Sequence, residues 1–109
     1  MDSFEVIVSP KALFQLNSYI DYIHYTLKNP YAAMNVWQDA VDTVNVLKRA
    51  AGSLRLCSNP RLKELGYHQI PFLKHDYVML YRIVERIVFV DAVYHLLQDY
   101  ENTFCKDID

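Results

Sequence analysis

Residues 9–52 read SPKALFQLNSYIDYIHYTLKNPYAAMNVWQDAVDTVNVLKRAAG, a pattern that predicts two amphipathic helices joined by a short junction. Ser9-Pro10 and Asn29-Pro30 are both helix starts, since Ser and Asn cap free backbone amides and Pro suits the first helical position. Apolar residues recur at spacings of three and four, which is typical of a helix with one buried stripe. The stripes are Leu13, Leu16, Ile20, Ile23 and Leu27 in the first helix and Ala33, Trp37, Ala40, Val44, Leu47 and Ala51 in the second. The short junction predicts an antiparallel helical hairpin.

Strand-type segments flank this hairpin. Phe4 to Val8 precedes it, and after Gly66 the chain is rich in Val, Ile, Tyr and Phe, which favour strands. The further predicted strands are 67–72, 77–84 and 87–94, the last two forming a hairpin across Glu85-Arg86. Residues 53–65 are predicted as a loop with room for one helical turn, and residues 97–105 fit a short helix or an extended tail. We therefore predict an α+β fold with an N-terminal strand and an antiparallel helical hairpin packed on one face of a mainly antiparallel four-stranded sheet.

Length and composition indicate a small globular protein. The 109 residues, 52% of them apolar, suffice for one domain over residues 1–109 with one hydrophobic core. No apolar run approaches the roughly 20 residues that cross a bilayer, and no signal peptide is recognisable, so we expect a cytoplasmic protein without membrane contact. Cys57 and Cys105 are expected as free thiols. The formal net charge of -2 argues against a general polyanion binder, so nucleic acid would have to meet a local basic patch.

Short motifs follow one another in a characteristic order along nearly the whole chain. They are residues 8–12 (VSPKA), Tyr22-Ile23, residues 27–33 (LKNPYAA), Pro60-Arg61-Leu62, Leu65-Gly66-Tyr67, Asp76-Tyr77 to Tyr81-Arg82, Val93-Tyr94-His95 and Gln98-Asp99-Tyr100. In this order they resemble the RelE/ParE toxin superfamily. The resemblance implies a compact antiparallel sheet with a helical hairpin on one face. It also implies a cognate antitoxin that wraps the toxin with a disordered or helical segment.

Members of this superfamily divide by target: RelE-like members cut messenger RNA in the ribosomal A site, and ParE-like members poison DNA gyrase. Cutting RNA without a metal requires activation of the 2′-hydroxyl, charge on the phosphate and protonation of the leaving oxygen. Residues of suitable type occur near the matching segments. The candidate catalytic residues are His95, Arg82 and Tyr100, and the candidate substrate-binding residues are Arg61, Lys63 and His68.

Four of these six candidates also have a structural interpretation. His95 ends the last predicted strand, and two interpretations of it remain. One is acid–base chemistry near neutral pH, and the other is a structural role at the edge of the sheet. Arg82 suits a phosphate, or an ion pair with Glu85 or Asp91. Arg61 and Lys63 either bind a phosphate or are solvated charges on a loop.

The chain also departs from the superfamily pattern. Many relatives have basic side chains where this chain has Leu96 or Leu97, His68 and Ala92, which weakens a nuclease interpretation. We favour a ribosome-dependent mRNA endonuclease, with the ribosome and its mRNA as partner, and keep two alternatives. One is a gyrase inhibitor that acts by binding, and the other is an antitoxin-binding member of the superfamily without toxicity.

Metal and cofactor sites are not indicated by the sequence. The four histidines, His24, His68, His75 and His95, lack metal-ligand spacing, and there is no Gly-rich phosphate loop. We therefore expect neither a metal nor a cofactor. Trp37 and the helix tyrosines are interpreted as packing residues rather than as a platform for stacking bases.

Overall fold

The structure is a computed structural model that describes residues 3–109, so the first two residues of the predicted domain lie outside the described residues. The strands are β1 (Glu5–Val8), β2 (His68–Pro71), β3 (Tyr77–Val84) and β4 (Ile87–His95), and the helices are α1 (Pro10–Asp21), α2 (Pro30–Ala50), α3 (Pro60–Glu64) and α4 (Tyr100–Ile108). A π-helical segment (Tyr22–Thr26) follows α1, and a 3-10 turn (Ala51–Ser53) follows α2. The predicted strands are all present, and no end of a strand differs from its predicted position by more than one residue.

The four strands form one sheet in the order β1-β4-β3-β2. β1 lies parallel to β4, whereas the β3 pairings with β4 and with β2 are antiparallel. The parallel pairing is possible because two helices carry the chain from the end of β1 back to the start of the sheet. The predicted α+β fold, with a mainly antiparallel four-stranded sheet, is confirmed.

Helices α1 and α2 cover one face of the sheet, which we call the hairpin face. Both helices begin as the sequence predicts: the Ser9 hydroxyl accepts from the Ala12 amide at 3.0 Å, and the Asn29 side chain accepts from the Ala32 amide at 3.0 Å. The buried cluster on this face joins helix residues to alternate strand residues. Its members include Ala12, Leu16, Val36, Ala40, Leu47, Ile70, Met79, Tyr81, Val88, Val90 and Val93.

Part of the predicted helix packing is wrong. The first helix is not regular to its end, because the π-helical turns have more residues per turn and rotate the stripe away from the sheet. Leu27 is consequently 56% exposed, and Lys28 ends the segment at a φ of 53°. Trp37 is 45% exposed, since it lies on the flank of α2 beside its buried stripe. Tyr22, Tyr25 and Tyr31 are also exposed rather than packed, so the packing interpretation fails for them.

The opposite face of the sheet, which we call the C-terminal face, is covered by α3 and α4. The predicted helical turn between residues 53 and 65 is α3, capped by Asn59, and the tail forms a helix rather than an extended segment. Phe104 of α4 is buried edge-on against Tyr67, with ring centroids 5.0 Å apart. The cluster on this face is Cys57, Leu62, Tyr67, Val78, Leu80, Ala92, Tyr94 and Phe104. No helix within residues 3–109 is long and apolar enough to span a membrane.

A β-bulge interrupts the pairing of β3 with β4. Val84 pairs with Ile87 across the two-residue turn, and Tyr81 pairs with Val90, but Leu80 pairs with Ala92. Asp91 is therefore the extra residue of the bulge. Because side chains alternate along a strand, this one insertion exchanges the faces of every later residue of β4, including His95.

Candidate functional site

The structure separates His95 from Arg82. His95 pairs with Tyr77 at the far end of the β3–β4 ladder, and it lies on the hairpin face beside Ile23 and Leu27. Arg82 follows the hairpin-face residue Tyr81 and points to the C-terminal face. Five strand residues, or roughly 16 Å, separate Arg82 from Tyr77 along β3. The two candidate catalytic residues therefore cannot act on one phosphate.

Arg82 is part of a side-chain network that holds the bulge. Its Nε donates to Asp91 Oδ2 at 2.9 Å, and the Tyr67 hydroxyl donates to the same oxygen at 2.8 Å. The guanidinium also lies 4.6 Å from the centroid of the Phe89 ring. Although burial opposes its charge, the hydrogen bond and charge of Asp91 raise the pKa of Arg82. The predicted ion pair of Arg82 with Asp91 is confirmed, and the alternative pair with Glu85 is not formed.

Because Tyr67 ionises at high pH, the stability that this network gives to the fold declines in the alkaline range. Burial, together with the Asp91 carboxylate, raises the pKa of Tyr67 from 10.0 to about 12. The unfolded chain loses the Tyr67 hydroxyl proton near pH 10, whereas the folded chain keeps it until about pH 12. The stabilisation of the folded state by this hydroxyl is therefore complete below pH 10 and is lost between pH 10 and about 12. We expect Tyr67→Phe to unfold in denaturant with a shallower decline of stability over this range than the parent chain. Equal declines in the two proteins would contradict the assignment.

The other four candidates lie apart from His95. Tyr100 donates to Gln69 Oε1 at 2.8 Å, and Arg61 pairs with Asp109 at 3.2 Å, both on the C-terminal side. Lys63 is exposed on α3. His68 lies on the hairpin face, where it stacks on Tyr81 and its Nδ1 contacts the Leu54 carbonyl at 2.8 Å. The six candidates thus do not form one cluster.

The geometry around His95 fixes which ring nitrogen carries the proton. The Leu97 amide donates to His95 Nδ1 at 3.1 Å, so Nδ1 supplies a lone pair and we assign the proton to Nε2. The Gln98 Oε1 accepts both from the His95 amide at 2.9 Å and from the Tyr19 hydroxyl at 2.8 Å. In this arrangement His95 Nε2 is a positioned hydrogen-bond donor.

His95 opens onto a cleft of about 420 Å³ that the sequence did not reveal. We call it the junction cleft, because it lies between the junction of the two long helices and the β2–β3 loop. Its lining is Ile23, Leu27, Asn29, Ala32, Val36, Lys74, His75, Asp76, Tyr77 and His95. Lys74, His75 and Asp76 lie between two predicted strands, and only tertiary contacts bring them to His95.

A buried carboxylate fixes the β2–β3 loop against α2. Asp39 is 3% exposed, and its Oδ2 accepts from the Lys74 amide at 2.9 Å and contacts His75 Nδ1 at 2.6 Å. Its Oδ1 is buried without a hydrogen-bond partner among the described residues. An aspartate on the buried side of an amphipathic helix can be recognised in the sequence. The residues that it contacts cannot be predicted from the sequence.

An apolar groove runs between α1 and α2. Its floor includes Leu16 and Ala40 from the helices and Met79 and Val93 from the sheet. Trp37 lines the part of the groove near β1, with Leu13 and Val41, and also the part near the junction, with Ile20, Tyr31 and Met34. We call this surface the helix groove. Leu13, Tyr31, Met34, Trp37 and Val41 are all exposed here, and contiguous exposed apolar side chains can mark a site that binds another protein.

Comparisons with known proteins agree with this architecture. Residues 6–100 match the family model described as ParE toxin of type II toxin-antitoxin system, parDE. A solved structure described as the chromosomal ParDE TA system from P. aeruginosa is similar in fold, with a TM-score of 0.73 at 17% identity, over 88% of this chain and 99% of that chain. No curated protein matches the chain.

Proposed function

Because the chain belongs to the ParE toxin family of type II toxin–antitoxin systems, we propose that it stops growth by binding DNA gyrase and not by cutting RNA. One observation carries this proposal: His95 and Arg82 lie on opposite faces of the sheet, roughly 16 Å apart along β3. General acid–base catalysis requires its groups within hydrogen-bond reach of one substrate. Binding imposes no such requirement.

The charges of the chain support the same proposal. A nuclease that holds mRNA on the ribosome needs cations free to meet phosphates. Of the three candidate cations, Arg82 pairs with Asp91 and Arg61 with Asp109, and only Lys63 has no ion pair among the described residues. The net charge of -2 leaves no general attraction to a polyanion.

The ribosome-dependent mRNA endonuclease remains the second candidate. Arg61, Lys63, Tyr100 and Arg82 all lie on the C-terminal side of the sheet, which is the observation that favours it. In that case His95 takes no part, and Tyr100 would have to give up its hydrogen bond to Gln69 to move a proton.

The helix groove is the surface that we assign to the cognate antitoxin, which membership of a toxin–antitoxin family supports as a partner. A groove with an apolar floor and an aromatic wall fits the apolar stripe of an amphipathic helix. Trp37 lies where the two parts of the groove meet. Buried aromatic side chains at such central positions commonly dominate binding free energy.

Two substitutions distinguish binding from catalysis. We expect cells that express Tyr100→Phe or Arg82→Gln to stop growing as cells with the parent chain do, within about twofold, because neither side chain reacts. Loss of a catalytic acid or base costs roughly 100-fold or more. Growth in the presence and absence of each chain is the measurement, with thermal melting as the control for folding. Recovery of growth with both folded variants would support the endonuclease.

A further inference from the structure

The junction cleft displays several hydrogen-bond donors that are not used by any residue that the structure describes. Among residues 3–109, no hydrogen-bond partner or ion pair engages the Lys74 ammonium, the Tyr77 hydroxyl or the Asn29 side-chain amide nitrogen. The Asn29 oxygen is occupied by the Ala32 amide, which leaves only its donor end free. With the assigned His95 Nε2 proton, four donors face one cleft.

Tyr77 remains a donor throughout the neutral range. Burial raises the pKa of Tyr77, and the nearby Asp76 carboxylate raises it further. Its ring packs against Tyr19 at 5.1 Å and His95 at 5.2 Å between centroids, so the hydroxyl is held in place.

Free acceptors are fewer than free donors in the cleft. Asp76 supplies the single carboxylate of the lining, whereas the Asp39 carboxylate, which receives the Lys74 amide and contacts His75, lies outside it. The opposite wall is apolar and includes Ile23, Leu27 and Val36, with Leu27 56% exposed. A ligand that suits this lining accepts hydrogen bonds at one end and is apolar beside it.

We propose that the junction cleft holds a carboxylate side chain of the toxin's protein target, with Lys74 and His95 as its donors and a neighbouring apolar side chain of the target against Leu27. A carboxylate accepts hydrogen bonds without donating any, and its bonds to a cation are among the stronger ones in proteins. This inference rests on the proposed function, because it requires a target that is bound.

The position of the cleft favours the target over the antitoxin as the occupant. Trp37 and Val41 on one side of α2 line the helix groove, whereas Ala32 and Val36 on its other side line the junction cleft. A helix bound in the groove therefore leaves the cleft open. The two surfaces are suited to two different partners.

The test measures gyrase supercoiling with purified variants of the full chain. We expect Lys74→Glu to weaken inhibition at least about 30-fold, because it places a like charge against the carboxylate. His95→Leu should weaken inhibition about 10-fold, and His95→Gln, which restores a donor, should recover most of it. Lys106→Glu is the matched control, since this exposed lysine of α4 lies outside the cleft. Antitoxin binding should be unchanged in all four variants.

Three outcomes would overturn the inference. If the parent chain inhibits gyrase and Lys74→Glu inhibits it equally, the cleft proposal is wrong while the proposed function stands. If Lys74→Glu weakens antitoxin binding as much as it weakens gyrase inhibition, the cleft belongs to the antitoxin. If the parent chain leaves supercoiling intact, the proposed function fails and this inference fails with it.

Discussion

Trp37→Glu should weaken binding of the cognate antitoxin by at least about 100-fold and leave the toxin folded. Trp37 is 45% exposed and lines both parts of the helix groove, so its replacement removes the central aromatic wall. A glutamate in its place must also lose its water when an apolar helix binds, which adds to the cost. The measurement is the dissociation constant of the purified pair.

Phe14→Glu is the matched control for this prediction. Phe14 is an aromatic residue of α1 that is 73% exposed and does not line the groove. Its replacement introduces the same charge on the same helical hairpin, and we expect the dissociation constant to change less than about threefold, as for most surface positions. Equal losses in the two variants would mean that general charge repulsion and not the groove determines binding.

His75→Leu should lower the free energy of unfolding by about 3 kcal/mol, because it leaves the buried Asp39 carboxylate with one donor. The carboxylate side chain is 2% exposed, and after the substitution only the Lys74 amide donates to it. Unfolding in denaturant at neutral pH gives the value.

A second substitution tests whether the buried charge is the cause. Asp39→Asn in the His75→Leu background removes the charge and keeps an oxygen for the Lys74 amide. We expect the double variant to regain at least half of the lost stability, since removing both members of a buried pair costs less than removing one. A loss below about 1 kcal/mol in His75→Leu, or additive losses in the double variant, would contradict this account.

The sequence predicts the elements well where local chemistry determines them. Ser9-Pro10 and Asn29-Pro30 start the two long helices because their side chains cap the first turns. The strands follow from the Val, Ile, Tyr and Phe content of residues 77–84 and 87–94. Trp37 was not predicted as exposed, because a helical period identifies an apolar stripe but does not show where a second helix covers it.

The candidate site was less predictable, and the bulge at Asp91 is the reason. In a regular hairpin with the turn at Glu85-Arg86, Tyr77 would pair with Tyr94, and His95 would point to the same face as Arg82. The extra residue moves the pairing of Tyr77 to His95 and sends the imidazole to the hairpin face. Nothing in residues 87–95 marks the bulge, since it is stabilised by contacts of Asp91 with Tyr67 and Arg82 from other strands and loops.

Under the proposed function, this toxin acts by binding gyrase and does not cut RNA. The most direct measurement adds the purified chain to gyrase with relaxed plasmid and, in parallel, to a translating extract in which the 5′ ends of a reporter transcript are mapped. We predict that supercoiling stops and that the transcript stays uncut. New 5′ ends at codon-spaced positions while ribosomes are engaged, with supercoiling unaffected, would contradict the account.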